Sequence, residues 1–374
     1  MRIAINTRFL LKGKMEGFGW FTYETVKRMV LSHPEHTFIF FFDRKYDEQY
    51  LFAENVVPVV LNPPARHPIL FKIWFDNSVT KALKKHKADI FFSPDGYLSL
   101  RTKIPQIGVI HDLNFEHYPE DLPKGARKYL RTYFPKFAKK AKHIITVSEY
   151  SKQDIVKTYG IAETKITVAH NGGSEKFKPI PLAQQKFIRK KYTNGKPFFI
   201  CVGALHPRKN LNRLLLAYDA FKKETQSETQ LLIVGAPLFK GSGPFETLEQ
   251  LKHKSDIHFS GHVEFDVLTQ IMGSARALTF VSYFEGFGIP MIEAMRAETP
   301  ILAGNLTSLP EVGGEAAIYV DPFDINSIKE GLVKINQNEE LRKKLIALGR
   351  DRAKEFTWDQ SASIIWNTIM VQTK

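Results

Sequence analysis

Short apolar runs alternate with helix-length amphipathic stretches along the whole chain. In the first half the apolar runs fall at residues 2–6, 38–42, 90–93, 107–110 and 144–147. They are continuous rather than alternating, the pattern of strands buried on both faces of a parallel sheet. Helical periodicity occupies residues 21–31, 73–87 and 125–140 between them. Residues 171–181 are rich in Gly, Lys and Pro and read as a linker. A second series follows, with strands predicted at 198–202, 231–234, 257–259, 277–281, 301–303 and 317–320. Helices are predicted at 325–336, 339–356 and 358–370. The fold class is α/β: two facing, doubly wound Rossmann-like domains with a cleft between them, the ordinary place for a ligand. The expected boundaries are 1–175 and 176–356, with residues 357–374 forming a helix that packs back on the first domain.

A length of 374 residues suits two domains of similar size. No uncharged apolar run approaches the ~18 residues of a membrane span. The start, MRIAIN, passes straight into a strand without the features of a signal peptide, so a cytoplasmic location is expected. Cys201 is the single cysteine, which excludes an internal disulfide framework and a cysteine zinc cluster. The net charge of +14 is one-sided. Residues 1–200 hold 34 Lys and Arg against 18 Asp and Glu (+16), and residues 201–374 hold 19 against 21 (−2). Such a field attracts anionic lipid headgroups, nucleic acid or a charged acceptor, or is a solvated surface. The surplus concentrates at residues 81–87 and 124–142, where Arg127, Lys128, Arg131, Lys136, Lys139 and Lys140 interleave with Tyr129, Leu130, Tyr133, Phe134 and Phe137. That composition fits an anionic membrane surface as well as a core-packed helix with a solvated face. No nucleic-acid-binding motif accompanies it.

Four segments carry candidate chemistry. Gly203 to Asn210 follows a strand and opens a helix, with Asn210 as the expected N-cap. A glycine turn at a helix N-terminus is an anion site, and Arg208 and Lys209 add a planar fork and a point charge. Next, Glu285-Gly286-Phe287-Gly288-Ile289-Pro290-Met291-Ile292-Glu293 follows the strand at 277–281. Its glycines let backbone approach a ligand, and Pro290 suits a first helical turn. Glu285 is expected on the loop and Glu293 in the first turn, both turned to one pocket. They bind sugar or ribose hydroxyls, or act as an acid/base pair, or Glu293 serves the helix dipole alone. Third, His111-Asp112 ends the strand at 107–110, where parallel sheets bind ligands. Fourth, Gly17-Phe18-Gly19 lies in an expected loop before the helix at 21–31, without completing a dinucleotide fingerprint.

In this order the four segments resemble the retaining glycosyltransferases of family 4, in the bacterial mannosyltransferase-like branch, and nearly the whole chain fits. Also matching are residues 145–151, 168–173, 259–263 and 307–312. The Glu285–Glu293 segment looks like the family's two-glutamate motif and Arg208-Lys209-Asn210 like its phosphate turn. The resemblance implies the GT-B fold and transfer with retention, from a nucleotide-diphosphate sugar, without cofactor or essential metal. Arg208 and Lys209 would hold the donor diphosphate, Glu285 the sugar hydroxyls, and Glu293 the ribose. Phe287, Gly288 and Ile289 would bring backbone near the sugar. Gly203 would form the phosphate turn, and His262 and Val263 would pack on the nucleobase. His111 would contact the transferred sugar or its phosphate, and Gly17 and Gly19 would let the first domain close over the donor. Ala204 and His206 depart from the family's usual residues, as does Trp20. The acceptor implied is a glycan or lipid-linked sugar of a cell-surface polysaccharide, reached from the inner face of the membrane. Two other readings use the same fold: a sugar-nucleotide epimerase and a non-catalytic sugar-nucleotide-binding protein. The donor stays open between GDP-mannose, UDP-glucose and others.

Overall fold

In the computed structural model the chain divides into two units, residues 1–171 with 357–374, and residues 172–356. The structure describes residues 1–13, 15, 17–236 and 245–373.

The first unit is built on a seven-stranded sheet: β1 (Arg2–Asn6), β2 (Thr37–Phe42), β3 (Val56–Val60), β4 (Ile90–Ser93), β5 (Gln106–Val109), β6 (His143–Thr146) and β7 (Ile166–Val168). Their order is β3-β2-β1-β4-β5-β6-β7, and every pairing is parallel. The central strands are buried along their length, as their continuous apolar sequences require. Two edge strands escape the sequence reading. β3 contains Pro58, tolerated because an edge strand has ladder partners along only one of its two edges. β7 is three residues long.

The helix predicted at 73–87 is instead three pieces: Pro68–Ile73, a π-helical turn Trp74–Val79, and Thr80–Lys85. The wide turn lets Trp74, Phe75, Asp76 and Val79 all be buried. Trp74 Nε1 donates to Leu61 O at 3.1 Å and Asp76 Oδ1 accepts from Leu100 N at 2.8 Å. Helix Trp358–Thr373 packs on helix Gly17–Ser32 of the same unit. There Trp366 stacks on His33 with 3.6 Å between ring centroids, and Asp359 accepts from Arg28 Nε at 2.5 Å.

The second unit has six parallel strands: β8 (Phe198–Val202), β9 (Gln230–Val234), β10 (Ile257–Gly261), β11 (Ala277–Phe280), β12 (Ile301–Gly304) and β13 (Ala317–Val320). Their order is β10-β9-β8-β11-β12-β13. Helices Leu211–Thr225 and Ile325–Gln337 pack together over the sheet. The helix predicted at 339–356 runs Glu339–Arg352 and tightens to a 3₁₀ turn at Ala353–Glu355.

In both sheets the strand order reverses once, between β1 and β4 and between β8 and β11. Loops leaving the carboxyl ends of those strands splay apart there, and open α/β sheets bind ligands in the crevice so formed. In the second unit, those loops are residues 203–210 and 281–288.

Candidate functional site

The loop after β8 begins at Gly203, whose φ of +132° favours glycine. A Cβ here would also sit 3.2 Å from Lys209 Cε. Gly235, after β9, has φ +149°, and a Cβ there would lie 1.9 Å from Gly203 O. The two loops therefore touch backbone to backbone, and Gly235 N donates on to Gly261 O at 3.0 Å. Sequence reasoning missed Gly235, although a glycine directly after a strand was the available signal.

Pro207–Lys209 forms a single 3₁₀ turn, capped by His206 Nδ1, which accepts from Arg208 N at 3.3 Å. Burial, then the charges of Arg208 and Lys209, push the His206 imidazole down to about 4. It is neutral at pH 7 and serves as an acceptor. Asn210 holds the expected N-cap position but does not cap the helix through its side chain. Its φ is +59° and its side chain makes no cap bond; instead Nδ2 donates to Val281 O at 3.1 Å and Pro322 O at 2.5 Å. Asn210 thus ties together the loops after β8, β11 and β13.

The loop after β11 brings Glu285 to the two cations. Lys209 Nζ donates to Glu285 Oε1 at 2.7 Å, and Arg208 Nη1 donates to Oε2 and to Phe284 O. Glu285 is buried. Burial would raise its carboxyl, but the Arg208 and Lys209 charges outweigh this and hold it at about 2. A carboxylate so held stays ionised at neutral pH and is the counter-ion of Arg208 and Lys209. Burial lowers the Lys209 ammonium, whose Nζ lies 4.4 Å from the centre of the Phe280 ring. Two cations against one carboxylate leave a net positive charge at the switch point, suited to an anion.

Residues after β12 hold the Glu285 loop in place. Thr307 Oγ1 accepts from Glu285 N at 3.1 Å, and Ser308 Oγ lies 2.9 Å from Glu285 O and 3.0 Å from Phe287 O. Gly288 has φ +111°, and a Cβ there would lie 3.0 Å from Leu309 Cδ2. Phe287 is buried against Phe356, while Ile289 is half-buried at the start of helix Ile289–Arg296. Glu293 lies in the second turn of that helix rather than the first, because the helix starts at Ile289. It is buried, with no ion pair among the described residues, and burial pushes its carboxyl up to about 8. It therefore remains protonated at pH 7 and has a proton to donate. His262, after β10, is exposed and Val263 is half-buried.

The remaining candidates lie in the first unit. Gly17 and Gly19 belong to the first turn of helix Gly17–Ser32, not to a loop. A Cβ at Gly17 would meet nothing within 4 Å, whereas one at Gly19 would lie 2.8 Å from Phe9 O. The helix begins early because Gly19 lets its first turn sit against residue 9. His111 follows β5. Its Nε2 lies 2.7 Å from Pro94 O, and its ring meets the Phe18 and Phe21 rings edge-on, each at 4.8 Å. Burial lowers its imidazole pKa, more than the Pro94 bond raises it. Beside it, at the β1/β4 switch point, is a buried Arg8–Asp95 pair at 2.7 Å that sequence reasoning did not single out. Among the described residues no group of three or more His, Cys, Asp or Glu is placed to hold a metal ion. No helix among them is long and apolar enough to cross a membrane.

This geometry meets two family models. Residues 184–352 match the glycosyl transferases group 1 model and residues 16–173 match the glycosyltransferase family 4 model. The chain belongs to glycosyltransferase family 4 and is a glycosyltransferase of its mannosyltransferase-like branch, with the GT-B fold. It is similar to O-antigen chain mannosyltransferase B of Escherichia coli, 26% identical over 93% of this chain and 94% of that protein. It is 30% identical to the O-antigen chain mannosyltransferase RfbU of Salmonella typhimurium, over 61% of this chain and 60% of that one. Among solved structures it resembles HepE of Anabaena in complex with UDP-glucose, with a TM-score of 0.77, 16% identity and coverage of 99% and 100%. It also resembles WaaG, a glycosyltransferase involved in lipopolysaccharide biosynthesis, with a TM-score of 0.75, 18% identity and coverage of 97% and 99%.

Proposed function

We propose that this protein transfers a hexosyl group, of mannose type, from a nucleoside-diphosphate sugar to a glycan or lipid-linked acceptor in polysaccharide biosynthesis. Transfer proceeds with retention and without a metal ion. The observation that carries the reading is the Arg208–Glu285–Lys209 cluster at the β8/β11 switch point. The mannose assignment leans on the names of the curated relatives.

In such a transfer the bond from the sugar anomeric carbon to the diphosphate breaks, and its electron pair leaves on the diphosphate. The acceptor oxygen bonds the same carbon from the same face, and its proton passes to the departing diphosphate. Arg208 and Lys209 bear on the charge that grows on that group, so they favour the transition state over the ground state. The Glu285 carboxylate keeps the two cations in place and accepts from sugar hydroxyls. Protonated Glu293 donates to a ribose hydroxyl, and Gly261-His262-Val263 flanks the nucleobase. His111 offers an acceptor nitrogen to a sugar hydroxyl. The basic helix Lys124–Lys140 meets an anionic membrane surface; Arg127, Lys128, Arg131 and Lys139 line an open cavity of about 590 Å³ there.

The test is nucleoside-diphosphate release from GDP-, UDP-, ADP- and dTDP-sugars with glycan acceptors, with and without EDTA, and the anomeric configuration of the product by NMR. One responding donor, indifferent to EDTA, with a retained anomer, is the expected result. Absence of release from every donor, or loss of activity in EDTA, overturns the corresponding part.

A further inference from the structure

The β1/β4 switch point of the first unit holds a saturated buried carboxylate with no substrate role so far. Asp95 Oδ1 accepts from Asn6 Nδ2 at 2.8 Å, from Ser93 Oγ at 2.9 Å and from its own loop at Tyr97 N, 3.2 Å. Oδ2 accepts from Arg8 Nε at 2.7 Å. The Arg8 guanidinium is itself enclosed by the Phe9 and Tyr97 rings, at 4.6 and 4.4 Å from their centres, with Phe71 at 5.0 Å. Of the partners of Asp95, Asn6 ends β1 and Arg8 follows it, Ser93 ends β4, and Tyr97 lies in the loop after it. Together they fix the turn at residues 93–96 to the end of β1.

That turn reaches His111. Gly96 has φ +79°, and a Cβ there would sit 2.8 Å from Val109 O, so the turn lies directly on the end of β5. From the same turn, Pro94 O receives the proton on His111 Nε2 at 2.7 Å. A carbonyl oxygen only accepts, so this bond requires the hydrogen on Nε2. In neutral imidazole the other nitrogen, Nδ1, is then an acceptor. Phe18 and Phe21 meet the ring edge-on, and Ser151 Oγ donates to the His111 carbonyl at 3.1 Å. The imidazole is thus fixed in orientation and in tautomer.

We infer that Asp95 is a positioning residue: through the turn at 93–96 and the Pro94 carbonyl it sets His111 as an Nδ1 acceptor for a substrate sugar hydroxyl. The inference rests on the glycosyl-transfer reading. It assigns Arg8, Asn6 and Ser93 to holding Asp95, and it traces His111's orientation to the adjoining turn after β4. Ring rotation or tautomer exchange would present an N–H where the hydroxyl needs an acceptor. The loss belongs in turnover rather than in nucleotide affinity, because the nucleotide-binding groups proposed above all lie in the second unit.

The experiment uses full-length protein labelled with ¹⁵N-histidine, with the His111 signals assigned by their loss in His111→Gln. Long-range ¹H–¹⁵N spectra distinguish the two neutral tautomers. The wild type is expected to show the Nε2–H form at neutral pH. Asp95→Asn, which keeps the shape and removes the charge, is expected to give a tautomer mixture and a kcat lower by about 10–100-fold, the range seen for partners that orient a functional group. KM for the nucleotide sugar should change less than threefold. Ser93→Ala, a milder cut in the same chain, should move both readouts in the same direction. An Nδ1–H wild type overturns the inference, even if Asp95→Asn does not fold. So does unchanged tautomer and kcat in a folded Asp95→Asn or Ser93→Ala. The tautomer readout needs no turnover, so a wild type inactive on every donor would sink the glycosyl-transfer reading and leave the His111 geometry separately tested.

Discussion

Lys209 Nζ and Glu285 Oε1 lie 2.7 Å apart, joining the ends of two strands that meet at the reversal of the second sheet. Both side chains are largely shielded from solvent, at 14% and 7% exposure. Removing one member of a buried pair leaves the other uncompensated, at a cost of about 3–5 kcal/mol. Glu285→Gln keeps the volume and drops the charge. It should lower stability towards denaturant by an amount near the bottom of that range, since Arg208 and Lys209 keep some access to water. Unchanged stability in urea melts would mean the pair is not held together in solution.

The same pair sets an acid limit. The Glu285 carboxyl is depressed to about 2 in the folded chain against an ordinary value near 4.5. A depressed carboxyl stabilises the fold above its unfolded value, and the contribution fades as pH falls from about 4.5 to about 2. The wild-type minus Glu285→Gln stability difference should therefore shrink across that window and stay flat from pH 5 to 7. Melts of both proteins at several pH values measure it, and a difference independent of pH would contradict the assignment.

Arg208→Ala and Lys209→Ala should each reduce turnover by ~10²–10³, comparable to losing one preorganised donor at a developing charge. Lys209→Arg should recover part of the loss, because a cation remains, though Arg is bulkier and the Gly203 backbone is close. Steady-state assays with saturating donor separate this from weaker binding. Near-normal kcat in both alanine variants would remove the cations from the chemistry.

Much of this architecture was legible in the sequence, for identifiable reasons. Central strands buried on both faces leave continuous apolar runs, so β1, β4 and β8 were located to the residue, and the apolar run of the edge strand β13 was located as well. β3 was hidden by Pro58, whose tolerance depends on its being at the sheet edge, a fact about neighbours rather than about residues 56–60. The Arg208-Lys209 and Glu285 motifs were visible as local patterns after strands. Their bonding to each other, 76 residues apart for Lys209 and Glu285, follows from strand order, which no local pattern contains. Asn210 is the N-cap residue as expected, but that its side chain bonds elsewhere was hidden for the same reason. Its amide is engaged by Val281 and Pro322 from loops distant in sequence, and the backbone turned left-handed to allow it. Arg8 and Asp95 carried no motif at all, and only the pairing of β1 with β4 brings them together.

Glu293 gives the opposite pH sign from Glu285. Burial without an ion pair raises its carboxyl to about 8. A raised acid is protonated in the fold, and its stabilising contribution is complete below its unfolded value. The contribution is lost as pH rises from about 4.5 to about 8. Glu293→Gln, neutral at every pH, should therefore gain stability relative to wild type between pH 5 and pH 8. Thermal melts of the two proteins without ligand at pH 5, 6.5 and 8 measure this. A constant gap would show that Glu293 is already ionised in the fold.

Gly235 is the sharpest steric prediction. A Cβ at this position would lie 1.9 Å from Gly203 O and 2.8 Å from Gly203 C, and both neighbours are backbone. No side-chain rotation relieves the contact, and φ of +149° is itself unfavourable for alanine. Gly235→Ala must therefore push the β9 and β8 loops apart, at a cost of at least about 1–3 kcal/mol for overpacking and strain. Because Gly203 carries the turn that presents Lys209, the displacement should also lower turnover in the fraction that folds. Gly125→Ala makes the comparison clean, since a Cβ there meets nothing within 4 Å. Urea melts and kcat for both variants decide the matter: equal behaviour of the two would mean that the close approach of residues 203 and 235 does not constrain the site.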